Sequence, residues 1–237
     1  MKYLRYVCLI ALGWALLNAL DVAVLRARAQ ALQRGISVEL VATQHATSMP
    51  AADDSNAWVV TVDNTGRLYL GTDPMTPKEL QQWMIEHPRR REQNLYIKAD
   101  ARAPYASVEK ALDAARAVEF SEPVLLVMQQ ESAVKPGVLV SPKGLEVTID
   151  GRNQNRDTQA VVVKISGSAQ KPTNVTINHE AVSWDLLEDR LRKSVEHENA
   201  KSVFVEADAP TTFAQVARVI DACSAAKAKA VLSQATL

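Results

Sequence analysis

The first part of the chain combines a basic start with a long apolar stretch. Residues 6–25 are interrupted only by Asn18 and Asp21. Because about 20 apolar residues are needed to cross the hydrocarbon core of a bilayer, the pattern favours an uncleaved transmembrane anchor with a polar stalk, together residues 1–35. The alternative is a cleaved signal peptide, but its small-residue exit would lie downstream of Arg26.

Asp21 is the candidate for carrying protons, because a carboxylate near the membrane core is costly and usually pairs, titrates or lines a path. Asn18 lies three residues earlier, on the same face of a helix, and could hydrogen-bond to Asp21. A structural interpretation is also open. Only residues 22–25 separate Asp21 from Arg26, which would place the carboxylate at the outer headgroup level, where its charge costs little.

Beyond residue 35, alternating and helical hydrophobic patterns predict a mixed domain over residues 36–130. Thr76 to Glu79 forms a capping box with proline at the first helical position, which predicts the start of a helix. Residues 43–56 have no periodicity and predict a linker. The predicted strands are 36–41, 57–62, 67–70, 95–99 and 124–128, and the second predicted helix is 104–118. After strand 36–41 the elements follow the order β-β-α-β-α-β, for which we expect a two-layer α/β sandwich.

The segment 95–116 recurs at 203–224, at an offset of 108 and with seven of 22 positions identical. After a connector at 131–143, the order of patterns begins again, with Ser183 in the capping position of the first helix. A second domain is therefore predicted over residues 144–237. The expected fold class is α+β, with one N-terminal transmembrane helix followed by two tandem two-layer α/β sandwich domains.

Composition excludes several classes of function. Lysine plus arginine equals aspartate plus glutamate, 27 each, so no overall positive field favours nucleic acid. Aromatic residues make up only 5%, which argues against a base-stacking surface. Cys8 lies in the apolar N-terminus and Cys223 in the last predicted helix, so no disulfide framework is expected.

Candidate chemical groups are scattered rather than clustered. The four histidines lack the spacing of a metal pair or a nucleophile–base pair, and no phosphate loop or hydrolase motif is present. The repeated aspartates could act as paired carboxylates, but we expect one pair to cap helices and the other to lie on a solvated helical face. These residues are His45, His87, His179 and His197, and the pairs Asp100/Asp208 and Asp113/Asp221. The sequence predicts no catalytic residue, cofactor or metal, and therefore no enzyme.

Three segments carry a resemblance to a known family. They are ISVELV from residue 36, WVVTVDNTGRLYLGTDPMTPKEL from residue 58 and LYIKADARAPYASVEKALDAA from residue 95. Together they resemble the periplasmic part of the ExbD/TolR family of biopolymer-transport proteins. The positions that match the family pattern are Gly71, Asp73, Pro74, Ala99, Asp100 and Tyr105. The second copy resembles the same pattern more weakly.

The resemblance implies a single-pass protein of the bacterial inner membrane, with its N-terminus in the cytoplasm and its bulk in the periplasm. It implies a polytopic ExbB/TolQ-like partner and a TonB/TolA-like transducer energised by proton flow past a transmembrane aspartate. The resemblance further implies that the periplasmic domains dimerise and that they contact peptidoglycan. Two features depart from the family: Asp21 lies late in the apolar segment with no proline before it, and the periplasmic domain is duplicated.

Two functions follow as hypotheses, and a third, a hydrolase using Asp100 or Asp208, would require an open pocket. The first is a subunit of a proton-motive-force-driven transport or envelope-integrity complex. The alternative is a membrane-anchored or secreted periplasmic binding or scaffold module that carries no protons. In either case the two copies could pair within one chain and so supply what relatives obtain by dimerising.

Overall fold

A computed structural model describes residues 35–87, 94–129, 141–149, 160–168 and 171–233. The first copy contains β1 (Ala42–Thr43), β2 (Thr47–Ser48), a 3-10 helix (Pro50–Asp53), β3 (Trp58–Val62), β4 (Leu68–Leu70), β5 (Asp73–Met75), α1 (Pro77–Glu86), β6 (Leu95–Ala99), α2 (Tyr105–Arg116) and β7 (Val124–Gln129). The second contains β8 (Lys143–Ile149), β9 (Val161–Ser168), β10 (Lys171–Ile177), β11 (Glu180–Val182), a 3-10 helix (Trp184–Leu186), α3 (Leu187–Glu198), β12 (Ser202–Ala207), α4 (Phe213–Ala225) and β13 (Lys229–Leu232).

The repeat predicted from the sequence is visible in the strand registers. Val62 of β3 lies beside Ala99 of β6, and Ile165 of β9 lies beside Ala207 of β12. Both pairs are parallel, and in each copy a helix connects the two strands. The predicted mixed α+β class is confirmed, and each copy adds an antiparallel hairpin on the outer side of its first long strand.

The two copies share one sheet rather than forming a sheet each. Its strand order is β11-β10-β9-β12-β13-β8-β7-β6-β3-β4-β5. The joint is β8, which pairs antiparallel with β7 of the first copy and parallel with β13 of the second. Residues 35–237 accordingly form one compact unit. The residue boundaries of the predicted domains, 36–130 and 144–237, stay a prediction.

Four helices cover the sheet as a continuous row. α1 contacts α2, α2 contacts α4, and α4 contacts α3, so the row passes from one copy to the other. Their apolar stripes bury Leu80, Leu112, Leu191 and Ile220 in a hydrophobic core that extends across both copies. Burial of this apolar surface is the main force that holds the copies together. A smaller cluster of Met49, Tyr96, Val124 and Leu126 packs separately from this core.

Several local predictions were wrong. No strand forms over 36–41. Isolated hydrogen bonds hold this segment, donated by Lys98 Nζ to Ile36 O (3.0 Å) and by Met128 N to Val41 O (2.8 Å). The predicted linker 43–56 contains β2 and a 3-10 helix, because its short polar residues pair with β8 rather than remaining free.

The sequence prediction also missed one short strand next to the hairpin of each copy. In each copy a short strand, β5 or β11, follows a two-residue turn after the predicted hairpin, and the order β-β-α-β-α-β does not contain it. The capping box of Thr76 and Glu79 is confirmed, with Glu79 N donating to Thr76 Oγ1 at 3.2 Å. Ser183 makes no side-chain cap bond, since a 3-10 turn precedes α3.

Candidate functional site at the junction of the two copies

The predicted proton-carrying residues, Asp21 and Asn18, lie outside the described residues. The anchor hypothesis rests on the same N-terminal segment and stays a prediction. In the part of the chain that the structure describes, none of the helices has the combined length and hydrophobicity needed to cross a bilayer.

The two copies meet backbone to backbone where β6 leads into α2 and β12 leads into α4. Pro104 and Thr212, which occupy the same repeat position, form an isolated antiparallel bridge. Tyr105 N donates to Thr211 O at 2.8 Å, and Phe213 N donates to Ala103 O at 2.9 Å. These two bonds exchange places when the copies are exchanged, so an approximate twofold axis passes through the bridge, as in a symmetric dimer interface.

The turns that lead to this bridge are alike in both copies. Asp100 N donates to Val62 O, and Asp208 N donates to Ile165 O, both at 2.9 Å. The side chains that follow, Tyr105 and Phe213, are completely buried beside the bridge. The same order of strand, turn and buried aromatic residue therefore occurs in both copies, and its backbone forms the contact between them.

Asp100 anchors the segment at Glu39, before the first strand of the first copy. Its carboxylate accepts bonds from Glu39 N (3.1 Å), Arg102 N (3.0 Å) and Arg102 Nε (3.1 Å), and the residue is only 4% exposed. Burial favours the neutral acid, but the hydrogen bonds from Arg102 and Glu39 outweigh burial and lower the pKa of Asp100. The predicted capping role was wrong, because α2 begins after Pro104 without a side-chain cap.

Asp208 occupies the same position in the second copy but has different contacts. Its carboxylate lies 3.9 Å from Lys164 Nζ, and its side chain is partly exposed. It does not cap α4 either, whose first turn is closed by Thr212 N donating to Gln215 Oε1 at 3.0 Å. The repeated aspartates therefore have different roles in the two copies.

Asp221 joins the copies a second time. Its two carboxylate oxygens accept bonds from Gln44 N (2.9 Å) and His45 N (2.8 Å), between β1 and β2. His45 Nε2 lies 3.5 Å from Glu188 of α3. The expectation of a solvated helical face was wrong for Asp221, whereas its equivalent Asp113 pairs with Arg116 within α2.

The remaining candidate groups are dispersed. His87 stacks on Trp83 at the end of α1, with 4.5 Å between ring centroids, while His179 lies in a turn and His197 in the last turn of α3. Among the described residues no three His, Cys, Asp or Glu side chains are grouped as a metal site. Cys223 is fully buried, and burial raises the pKa of its thiol to about 12, so the reactive thiolate is suppressed.

One surface that the sequence did not predict lies at the outer edge of the second copy. A groove of about 700 Å³ runs between β11 and the exposed side of α3. Arg190, Lys193 and His197 line the helical side, spaced at i, i+3 and i+7. This spacing was the only signal of the groove in the sequence. It was not sufficient, because a basic stripe on a helix ordinarily faces solvent without binding a partner.

The family model of biopolymer transport protein ExbD/TolR matches the chain twice, over residues 24–131 and 128–234. The comparisons with curated proteins and with solved structures give no match. The two family matches correspond to the two halves of the sheet and together account for most of the chain. The protein therefore belongs to the ExbD/TolR family, with the family domain present twice in one polypeptide.

Proposed function

We propose that the protein is an inner-membrane subunit of a proton-motive-force-driven transport or envelope-integrity complex. In this role residues 1–35 anchor the chain, an ExbB/TolQ-like polytopic protein surrounds the anchor, and the two domains act in the periplasm on a TonB/TolA-like transducer. The observation that carries the proposal is the double match to the ExbD/TolR family model.

The junction of the copies supports this function. An ExbD/TolR-like subunit that dimerises needs two folded domains on two chains, whereas here Pro104 and Thr212 join two domains within one chain. Covalent linkage makes the pairing independent of protein concentration, because association becomes an intramolecular event. A single polypeptide would then supply the paired periplasmic unit of the complex.

Asp21 is the proposed proton carrier, with Asn18 as its hydrogen-bonding neighbour. The test replaces Asp21→Asn in the full chain and measures both energised uptake and copurification of a polytopic membrane protein. We expect uptake to be lost while the polytopic partner still copurifies, and Asp21→Glu to retain part of the uptake. Unchanged uptake in Asp21→Asn, together with no polytopic partner, would contradict the motor role.

A second function is favoured by the late position of Asp21, four residues of apolar sequence before Arg26. It is an anchored or secreted periplasmic scaffold that keeps the paired domains but carries no protons. Sequencing the N-terminus of the mature protein separates the motor subunit from the secreted form of the scaffold. A mature chain that begins near Gln30 lacks the anchor and supports the secreted scaffold. If the mature chain begins at Met1, the uptake of the Asp21→Asn variant decides between the motor subunit and an anchored scaffold.

A further inference from the structure

The two edge strands of the sheet differ in whether their middle residue has an outward backbone N–H group. β5 and β11 are equivalent edge strands, and their middle residues, Pro74 and Ala181, pair with Tyr69 and Thr176. In a two-residue hairpin the pair next to the turn is hydrogen-bonded, so the next residue directs its N–H and C=O away from the sheet. Pro74 has no N–H to offer, as is typical of a protected edge. Ala181 has one.

The groove beside β11 gives this edge a second surface. The turn after β10, residues 180–183 and α3 line its walls. Leu186, which is 50% exposed, provides an apolar contact in it. A strand placed beside β11 would thus form backbone bonds on one side and place alternate side chains against α3, an arrangement used in recognition by β-strand addition.

The charges on the helical wall of the groove differ from those at the equivalent positions of the first copy. Arg190 and Lys193 line its helical wall and form no ion pair among the described residues. At the equivalent positions of α1 the chain has Trp83 and Glu86. The wall also carries His197, and the acidic residues of the groove are Glu180 and Glu198, of which Glu198 lies 3.4 Å from His197. The part of the groove next to Arg190 and Lys193 therefore complements negative charge.

We propose that β11 and α3 form a docking site for an extended acidic segment of a partner protein, which pairs with Ala181 as an added strand. Its acidic side chains face Arg190 and Lys193, and an apolar side chain contacts Leu186. The site occurs only in the second copy, since Pro74 and Glu86 oppose the same contacts in the first. The proposal does not depend on Asp21 or on proton flow.

The test uses a fluorescein-labelled peptide of sequence Val-Thr-Glu-Thr-Glu-Thr-Val, whose two glutamates share one face of a strand with the terminal valines, and the full chain in mild detergent, with binding followed by anisotropy. A second peptide has lysine in place of glutamate. We expect the acidic peptide to bind and the basic peptide to bind at least roughly tenfold more weakly. Absence of binding by the acidic peptide, or equal binding of both, would overturn the proposal.

Variants locate the site. Ala181→Pro removes the outward N–H, and Pro74 indicates that the equivalent strand accommodates proline; Ala181→Val keeps the N–H and is its control. We expect Ala181→Pro to weaken binding roughly tenfold or more and Ala181→Val to retain it. Arg190→Glu with Lys193→Glu should weaken binding similarly.

The charge control is Lys78→Glu with Lys110→Glu, two exposed positions far from the groove in sequence, which should bind as the unaltered chain does. Hydrogen exchange gives a readout that does not require Ala181→Pro to fold, because the Ala181 amide should become protected when the acidic peptide binds. Unchanged exchange at Ala181, or unchanged affinity in the Arg190/Lys193 variant, would refute the site.

Discussion

Pro104 and Thr212 face each other across an antiparallel bridge although they occupy the same position in the two copies. The flanking bonds, from Tyr105 N and from Phe213 N, reach Thr211 O and Ala103 O respectively, so each copy donates and accepts once. Such reciprocity is a property of twofold interfaces between identical chains. Here it lies within one polypeptide, beside a hydrophobic core that passes through both copies.

We expect the two copies to unfold together because they share this core and one sheet. Leu112 and Ile220 are equivalent residues, both buried, on α2 and α4. Leu112→Ala and Ile220→Ala should each destabilise the protein by about 2–5 kcal/mol, the cost of removing a large buried side chain. Differential scanning calorimetry should show one transition, which either substitution shifts as a whole. Two transitions, each sensitive to only one substitution, would show independent domains.

We expect the hydrogen bonds to the Asp221 carboxylate to hold the segment between β1 and β2 against α4. Asp221→Ala removes both acceptors of Gln44 N and His45 N, and we expect it to cost about 1–2 kcal/mol in the free energy of unfolding. Urea titration measures this cost, and hydrogen exchange should show faster exchange at the two amides.

The equivalent substitution, Asp113→Ala, is the control for that contact. It removes an ion pair with Arg116 inside α2 and should leave exchange at Gln44 and His45 unchanged. If both substitutions accelerated exchange at these amides equally, the effect would be a general loosening and the specific role of Asp221 would be excluded.

The local parts of the fold were predictable because their signals are local. Thr76 and Glu79 are three residues apart and define a helix start, and the repeat predicted the equivalence of Ala99 and Ala207, which end β6 and β12. The short strand β5 was missed since Asp73 and Pro74 lack the alternation and the propensity of a strand.

The contacts that join the copies could not be predicted in the same way. Asp100 bonds to a backbone group 61 residues away and Asp221 to one 177 residues away. No spacing in the sequence encodes such pairs, so aspartates at strand and helix ends were assigned to capping and solvation. The groove beside α3 was likewise not predicted, because the spacing of Arg190, Lys193 and His197 does not indicate that an edge strand lies beside them.

Gly144 is expected to be essential to the joint between β7 and β8. A Cβ atom at this position would lie 2.4 Å from Val124 Cγ1 and 2.9 Å from Met49 Cγ. Gly144→Ala should therefore separate these side chains and destabilise the protein by about 1–3 kcal/mol through overpacking. Chemical denaturation of the full chain measures the change.

Gly167→Ala is a matched control, because this glycine also lies in a strand and its Cβ would approach Thr173 Oγ1 only to 3.2 Å. We expect a smaller loss of stability, since the closest approach at Gly167, 3.2 Å, requires a smaller shift than the 2.4 Å approach at Gly144. Equal losses for the two substitutions would mean that the close packing at the joint is unimportant.

Asp100 should make stability depend on pH in the acid range. Its pKa is lowered in the folded protein, since the bonds from Arg102 and Glu39 outweigh the effect of burial, so the unfolded chain binds the proton more tightly. Stability from this group is fully present above the ordinary aspartate pKa of about 3.9 and is lost as pH falls through the lower folded value. Asp100→Asn should cost about 1–3 kcal/mol at neutral pH, and the difference from the unaltered chain should shrink below about pH 4.

Urea unfolding across this pH range measures the free energy of unfolding of both proteins. The control is Asp208→Asn, at the partly exposed equivalent position, which is expected to follow the unaltered chain. If the Asp100→Asn and unaltered curves stayed parallel down to acid pH, the carboxylate would not be the titrating group.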